Sequence, residues 1–316
     1  MIRFLATGII LSAVLAGNPT GAAAELRIVA SIAPIHGLAA AITAGVATPR
    51  LLLPAGASPH SFSLRPSDAR AVNRADLVVW VGPALENFLE RPLGILAGKE
   101  RLLTLTSVKA LTVLRARGAN HDDHDNHDAG HGHGGEGHDH ADPQGIDPHL
   151  WLAPGNARVI ATAIADRLIR LDPSNAAAYR ENLTRTLAGI DRTERDIAVL
   201  LAPVQKTRFM TFHDAFQYFE RAFGLNSAGW IAVDAARRPS AKRLSALRRT
   251  LRDSKARCLF SEPQFPSALM GTVAEDTDVR IATLDPLGAD IDPGPAHWDA
   301  MMLALGRSFR ECLLGR

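Results

Sequence analysis

The sequence predicts an α/β protein of two lobes, each a mostly parallel sheet flanked by helices, joined by one long rigid helix. Short uninterrupted apolar runs alternate with helical stretches both before residue 172 and after residue 203. Such runs are typical of parallel strands that are buried on both faces. Between these positions one apolar stripe continues at helical spacing. The chain has 316 residues, which is enough for two separate cores.

The N-terminus predicts export. Arg3 precedes an apolar run from Phe4 to Ala16, and Ala22-Ala23-Ala24 follows as a small-residue cleavage site. We therefore expect residues 1–24 to be a secretory signal peptide. The apolar run is shorter than the roughly 20 residues that a membrane-spanning helix needs. No cysteine lies near the cleavage point, so we expect an exported protein without a lipid anchor.

The first lobe is expected to cover residues 25–171. Alternating apolar runs and helical stretches predict strands at 26–30, 50–53, 76–81 and 101–105, and helices at 35–46, 69–74, 85–96 and 156–171. Residues 119–142 interrupt this pattern with a Gly-, His- and Asp-rich segment. It has too little apolar surface to bury, so we expect a disordered surface insertion.

The connector helix is expected at residues 172–203. Asp172 is a candidate N-cap with Pro173 in the first turn. One face then carries apolar side chains at intervals of three, four or seven residues: Tyr179, Leu183, Leu187, Ile190, Ile197 and Leu201. A helix of this length spans about 40 Å, more than one small domain needs. We interpret it as a rigid link between the lobes.

The second lobe is expected to cover residues 204–316. The same alternation predicts strands at 208–212, 230–233, 257–261 and 280–284, and helices at 215–223, 239–251, 267–275 and 295–313. This lobe holds both cysteines of the chain, Cys258 and Cys312. An isolated pair in an exported protein predicts a disulfide bond.

Two function classes lack support in the sequence. The 35 basic and 33 acidic residues are nearly balanced and form no clustered basic face, so we expect no nucleic-acid partner. No H-E-x-x-H or G-x-S-x-G motif occurs, and no obvious general base accompanies the candidate metal ligands described below. We therefore expect that the protein is not an enzyme.

Three histidines outside the insertion share a structural context. His60 follows the second predicted strand, His149 begins a new element, and His213 follows the strand at 208–212; Asp285 also ends a strand. Ligands of parallel α/β sheets bind beyond the carboxyl ends of the strands. Three imidazoles and one carboxylate suit Zn²⁺, although Cu²⁺ would bind the same atoms. His36 and His297 lie at helix starts, and we expect structural roles for both.

Five segments along the chain carry a recognisable pattern: GASPH at 56–60, LRPSD at 64–68, DPHLW at 147–151, FHDAF at 212–216 and LDPLG at 284–288. In this order they resemble the ZnuA family of periplasmic zinc-binding proteins of bacterial ABC importers. The resemblance implies a metal held in the cleft between two lobes by His60, His149 and His213. It also implies zinc as transported cargo, a periplasmic location and a membrane permease as partner, and we expect a monomer.

Position 213 bears on the choice of metal. Manganese-binding relatives carry a carboxylate there, so His213 indicates zinc. Some zinc-binding members have a glutamate beside the first histidine, where this chain has Pro59. Either Asp285 or water must then supply the fourth ligand, and we favour Asp285. Glu262 is either a carboxylate that accepts a hydrogen bond from a ligand imidazole or a helix-start residue.

The insertion supplies seven further histidines: His121, His124, His127, His131, His133, His138 and His140. Ordering a mobile segment around an ion costs conformational entropy, so binding there should be weak and accessory. We expect it to raise the local zinc concentration near the cleft; the alternative is a solvated linker without consequence. The predicted function is high-affinity zinc capture and delivery to the permease. The alternatives are a zinc chaperone or buffer, and a zinc-dependent hydrolase.

Overall fold

The structure, a computed structural model, describes residues 26–96, 98–117, 145–232, 241–264 and 268–315. The predicted signal peptide and the predicted insertion lie outside these residues, and so do the seven histidines of the insertion. None of the helices in the described ranges combines the length and hydropathy needed to cross a membrane.

The first lobe is built on a parallel sheet with the strand order β2-β1-β3-β4. Its strands are β1 (Ile28–Ala30), β2 (Arg50–Leu51), β3 (Leu77–Trp80) and β4 (Leu102–Thr104), and its helices are α1 (Ala33–Thr43), α2 (Pro66–Arg74) and α3 (Asn87–Gly94). Every residue of β1 and β3 is buried. Ile28 and Leu77 pack in one hydrophobic cluster, whereas Val29 and Val78 pack in another. Helices therefore cover both faces, as the apolar runs predict.

The second lobe repeats this plan with the strand order β6-β5-β7-β8, again all parallel. Its strands are β5 (Arg208–His213), β6 (Asn226–Ala232), β7 (Cys258–Ser261) and β8 (Arg280–Thr283), and its helices are α6 (Gln217–Phe223), α7 (Ala241–Ser254) and α8 (Ala268–Ala274). The predicted disulfide is present: Cys258 at the start of β7 is bonded to Cys312. It ties the sheet to the C-terminal helix.

Three long helices join and support the lobes: α4 (Pro154–Leu171), α5 (Ala176–Leu201) and α9 (His297–Leu314). The connector α5 has 26 residues and packs against α1, α4 and α9. Tyr179, Ile190, Ile197 and Leu201 of the predicted stripe are buried in the core. The fold class expected from the sequence is therefore confirmed.

The α-helical part of the predicted connector begins at Ala176. Asp172 is the N-cap of the short 3-10 turn at Pro173–Asn175 that precedes it, with Pro173 in the first turn. The Asp172 carboxylate accepts hydrogen bonds from the side chains of Ser174, Asn175 and Tyr179. These bonds hold the turn between α4 and α5, which explains why an Asp-Pro-Ser sequence stands there.

Candidate metal centre

The side chains of His60, His149 and His213 meet in the cleft between the lobes. The ring centroids of His60 and His149 lie 5.7 Å apart, those of His60 and His213 5.4 Å, and those of His149 and His213 4.9 Å. One ligand nitrogen from each ring lies within 4.8 Å of the other two. No other group of three or more His, Cys, Asp or Glu side chains in the described ranges is arranged in this way.

Local structure places each imidazole. His213 is the last residue of β5, at the carboxyl end of a central strand. His149 immediately precedes a 3-10 turn, and its backbone N–H donates to Asp147 Oδ1 at 3.0 Å. His60 lies in the turn after β2, where its N–H donates to Ser58 Oγ at 3.3 Å. Each histidine thus follows a strand or begins a new element, as predicted.

Two carboxylates orient two of the rings. Asp147 Oδ1 lies 2.8 Å from His149 Nδ1. Glu262, directly after β7, lies 3.4 Å from His213 Nδ1. A carboxylate that accepts a hydrogen bond from Nδ1–H fixes the tautomer and leaves Nε2 available as a metal ligand. Both carboxylates are buried, and burial raises the pKa of Asp147 to about 7.

The three imidazoles differ in their affinity for protons. Burial lowers the pKa of His60 well below 6.5, and the neighbouring His213 and His149 lower it further. Burial also lowers the pKa of His149 well below 6.5. At His213 burial lowers the pKa, but the charges of Glu262, Asp147 and Asp214 and the hydrogen bond to Glu262 together raise it. Neutral imidazole is the form that binds a metal ion, so His213 is the ring at which a proton competes most strongly.

Asp285 lies outside the group of three imidazoles. Its carboxylate caps the turn that follows β8: Oδ1 accepts from Leu287 N at 3.0 Å and from Gln264 Nε2 at 3.0 Å, and Oδ2 accepts from Ala289 N at 2.6 Å. A carboxylate offers about four lone-pair sites, so one site of Asp285 remains beside these three hydrogen bonds. Its role as fourth ligand stays a prediction.

The remaining walls of the site come from both lobes. Ser58, Pro59 and Trp151 line it from the first lobe, and Glu262, Gln264, Pro286 and Leu287 from the second. Trp151 Nε1 donates to Pro286 O at 2.8 Å, and Trp298 Nε1 donates to Trp151 O at 2.9 Å. Both tryptophans are buried, so these bonds hold the lobes together beside the imidazoles.

His36 and His297 do not belong to the site. Nε2 of His36 lies 3.0 Å from Pro49 O, and Nε2 of His297 lies 2.8 Å from Leu287 O. Both rings are buried and bound to backbone carbonyls. These contacts agree with the structural roles expected for them.

Sequence reasoning missed the role of Asp147. The signal was present, because an Asp two residues before a histidine can accept from its backbone N–H and place the carboxylate beside the ring. It also missed Arg117, whose side chain binds Asp214, the residue after His213. That contact joins residues far apart in the chain, and no local sequence pattern predicts it.

Two parallel α/β lobes joined by a long helix, with side chains from both lobes in the cleft, define the two-lobed solute-binding class of proteins. Residues 28–312 match the sequence profile described as zinc-uptake complex component A, periplasmic. The chain belongs to the ZnuA family. It is 38% identical to the high-affinity zinc uptake system protein ZnuA of Yersinia pestis, over 98% of each chain. It is 36% identical to that of Brucella abortus (strain 2308), over 90% of this chain and 91% of the relative.

Solved structures support the fold. A crystal structure of a zinc-bound ZnuA deletion mutant superposes with a TM-score of 0.72 at 25% identity, over 91% of this chain and 98% of that one. The periplasmic zinc-binding protein TroA of Treponema pallidum superposes with a TM-score of 0.74 at 20% identity, over 92% and 99%. At that identity the second likeness bears on the fold alone.

Proposed function

We propose that the protein captures Zn²⁺ in the periplasm with His60, His149 and His213 and delivers it to the membrane permease of an ABC importer. The observation that carries the proposal is the meeting of three buried or half-buried imidazoles from two lobes. Three neutral imidazoles suit Zn²⁺. The zinc uptake named for relatives along almost the whole chain supports the same cargo.

The oriented carboxylates support a tight site. Asp147 and Glu262 contact the Nδ1 atoms of His149 and His213. Such partners raise the basicity of ligand imidazoles, and losing one costs roughly 10- to 100-fold in metal affinity. In this proposal Glu262 is therefore a partner of a ligand rather than a helix-start residue.

The fourth coordination position goes to water in this proposal, because Asp285 does not lie in the group formed by the three imidazoles. Coordination by Asp285 is the alternative, and it requires the carboxylate to come closer to the imidazoles. An Asp285→Asn variant distinguishes the two. It leaves zinc affinity nearly unchanged if water is the ligand, and it weakens binding strongly if the carboxylate is.

Transport, rather than catalysis, is the proposed use of the bound metal. The chain belongs to a family described as a periplasmic component of a zinc-uptake complex. We further propose that residues 1–24 direct export. The histidines of residues 121–140 then serve as weak accessory ligands that concentrate zinc near the cleft.

Zinc uptake by living cells tests the proposal. Cells that lack this protein are grown in zinc-depleted medium and given back the wild-type chain or the His149→Ala variant, with the cognate permease present or deleted. We expect uptake only with the wild-type chain and the permease. Uptake that persists without the permease would favour a periplasmic zinc chaperone or buffer. Retention of one tight zinc by purified His149→Ala would overturn the site.

A further inference from the structure

The described residues that flank the His-rich segment, 114–117 and 145–147, are held together by backbone hydrogen bonds. Arg115 and Ile146 form an antiparallel bridge, and Ala116 N donates to Gly145 O at 3.0 Å. Residues 114–117 and 145–147 thus form a paired stem that leads to His149. We call these seven residues the stem.

The stem of the first lobe is fastened to α6 of the second lobe. Gln217 Nε2 donates to Arg115 O at 3.0 Å and to Asp147 Oδ2 at 3.2 Å. Tyr218 Oη accepts from Leu114 N at 2.8 Å and donates to Asp147 O at 2.9 Å. Asp147 also binds the ring of His149. A shift of the stem against α6 would therefore move a candidate ligand.

Arg117, the last residue of the first half of the stem, forms ion pairs with two carboxylates of the second lobe. Its Nε donates to Asp214 Oδ1 at 2.9 Å, and its Nη1 donates to Glu220 Oε2 at 2.6 Å. The guanidinium also lies 5.0 Å from the ring centroid of Trp230 in β6. The side chains of Asp214 and Glu220 are only 11% and 6% exposed. The planar guanidinium of Arg117 binds two largely buried carboxylates, and these bonds favour a single orientation of its side chain.

The position of these acceptors relates Arg117 to both lobes of the metal site. Asp214 directly follows His213, the candidate ligand of the second lobe. The stem that carries Arg117 leads, through Asp147, to His149 of the first lobe. The bond between Arg117 and Asp214 therefore joins the two lobes, which a metal ion bound to His149 and His213 would also join.

We propose that Arg117 is a positioning residue that fixes the spacing of His149 and His213 and so slows zinc release. This inference rests on the proposed function, since it requires zinc at the three imidazoles. Arg117 touches no metal ligand directly and acts through Asp214 and the stem. Partners that orient metal ligands change affinity by roughly 10- to 100-fold when lost, and we expect the zinc dissociation rate to rise by a similar factor.

The test compares two double variants of the full-length protein. R117M/E220Q removes one positive and one negative charge, so the net charge beside His213 is kept while the contacts of Arg117 with Asp214 and Glu220 are lost. R158M/E194Q is the matched control. Arg158 of α4 also binds two carboxylates, Asp191 and Glu194 of α5, away from the site. Each protein is loaded with one zinc, and the rate at which excess EDTA removes it is measured, alongside the melting temperature of the metal-free form.

We expect R117M/E220Q to lose zinc roughly 10- to 100-fold faster than the wild-type protein and R158M/E194Q to lose it at the wild-type rate. Release from folded R117M/E220Q at the wild-type rate would overturn the inference and leave the proposed function intact. If the wild-type protein holds no tight zinc, the proposed function itself fails. Should R117M/E220Q not fold, R117K decides, because it keeps the charge without the fork: faster release supports positioning and unchanged release refutes it.

Discussion

The imidazole of His60 in the first lobe lies with its centroid 5.4 Å from that of His213 in the second lobe, and the two rings are nearly perpendicular. His213 is placed by a central strand, whereas His60 is placed by the turn after an edge strand. The contact therefore depends on how the lobes are set by α5 and by the bonds of Trp151 and Trp298. A metal ion bound here would link the lobes directly.

The residue at position 213 should control the choice of metal. Replacing His213 by Asp exchanges an imidazole for a harder oxygen ligand, which suits Mn²⁺ better than Zn²⁺. We expect H213D to bind zinc at least 10-fold more weakly, on the order of the loss seen when a ligand's partner is removed, and to discriminate less between the two ions. Competition calorimetry with both metals measures the change. Undiminished preference for zinc in H213D would contradict the assignment of this residue.

Removal of the His-rich segment should separate two kinds of zinc binding. Deleting residues 121–140 removes seven histidines and leaves the stem and the three cleft imidazoles in place. We expect calorimetry to show one tight zinc per protein and no weak sites. The control for the deletion is a full-length variant in which serine replaces the seven histidines. Loss of the tight site in either protein would mean that the segment, and not the cleft, is the main binding site.

Zinc affinity should fall in acid, starting near or above pH 6.5. Glu262 raises the pKa of His213 in the metal-free protein, so protonated His213 is favoured and competes with zinc at a higher pH than an ordinary histidine would. Replacing Glu262 by Gln removes this charge and lowers the pKa of His213. We therefore expect the zinc affinity of E262Q to begin to fall at a lower pH than that of the wild-type protein. Near pH 8 its zinc affinity is weaker by about 10-fold.

Competitive zinc titration with a chromophoric chelator between pH 5 and 8 measures both effects of the Glu262 substitution. Glu275 is a suitable control, because it pairs with Arg248 on the surface of the second lobe. The E275Q profile should superimpose on the wild-type profile. A zinc affinity of E262Q that begins to fall at the same pH as that of the wild-type protein would show that Glu262 does not govern the protonation of His213.

The disulfide should stabilise the second lobe without taking part in binding. Cys258 and Cys312 close a loop with a sequence separation of 54, which corresponds to about 4 kcal/mol in the chain-entropy description. We expect C258S/C312S to lose a free energy of unfolding of this order in urea titration and to keep one tight zinc. A variant that loses zinc while it remains folded would give the disulfide a role at the site, through β7 and Glu262.

The sequence predicted those parts of the protein that local patterns determine. Apolar runs gave the strands, since parallel strands such as β1 and β3 are buried on both faces. Strand ends indicated His60 and His213 as candidates, because ligands of parallel sheets collect beyond the carboxyl ends. The resemblance to the ZnuA family joined His149 to them as a ligand set. The disulfide followed from the export context of an isolated cysteine pair.

The details that escaped prediction depend on contacts between distant residues. The carboxylate of Asp285 binds backbone N–H groups of the turn that follows its strand, and its role as fourth ligand stays a prediction. Asp172 is the N-cap of the 3-10 turn before α5 and not of α5 itself. Arg117 pairs with Asp214 of the other lobe, which lies 97 residues further along the chain. The spacing of residues along the chain does not predict contacts of this kind.

The most direct test of the account is a crystal structure of the zinc-loaded protein with anomalous data at the zinc edge. We expect one strong anomalous peak in the cleft, about 2.0–2.1 Å from one ring nitrogen each of His60, His149 and His213, with the fourth ligand visible as water or Asp285. A single tightly bound zinc located elsewhere, with these three side chains beyond coordination distance, would contradict it.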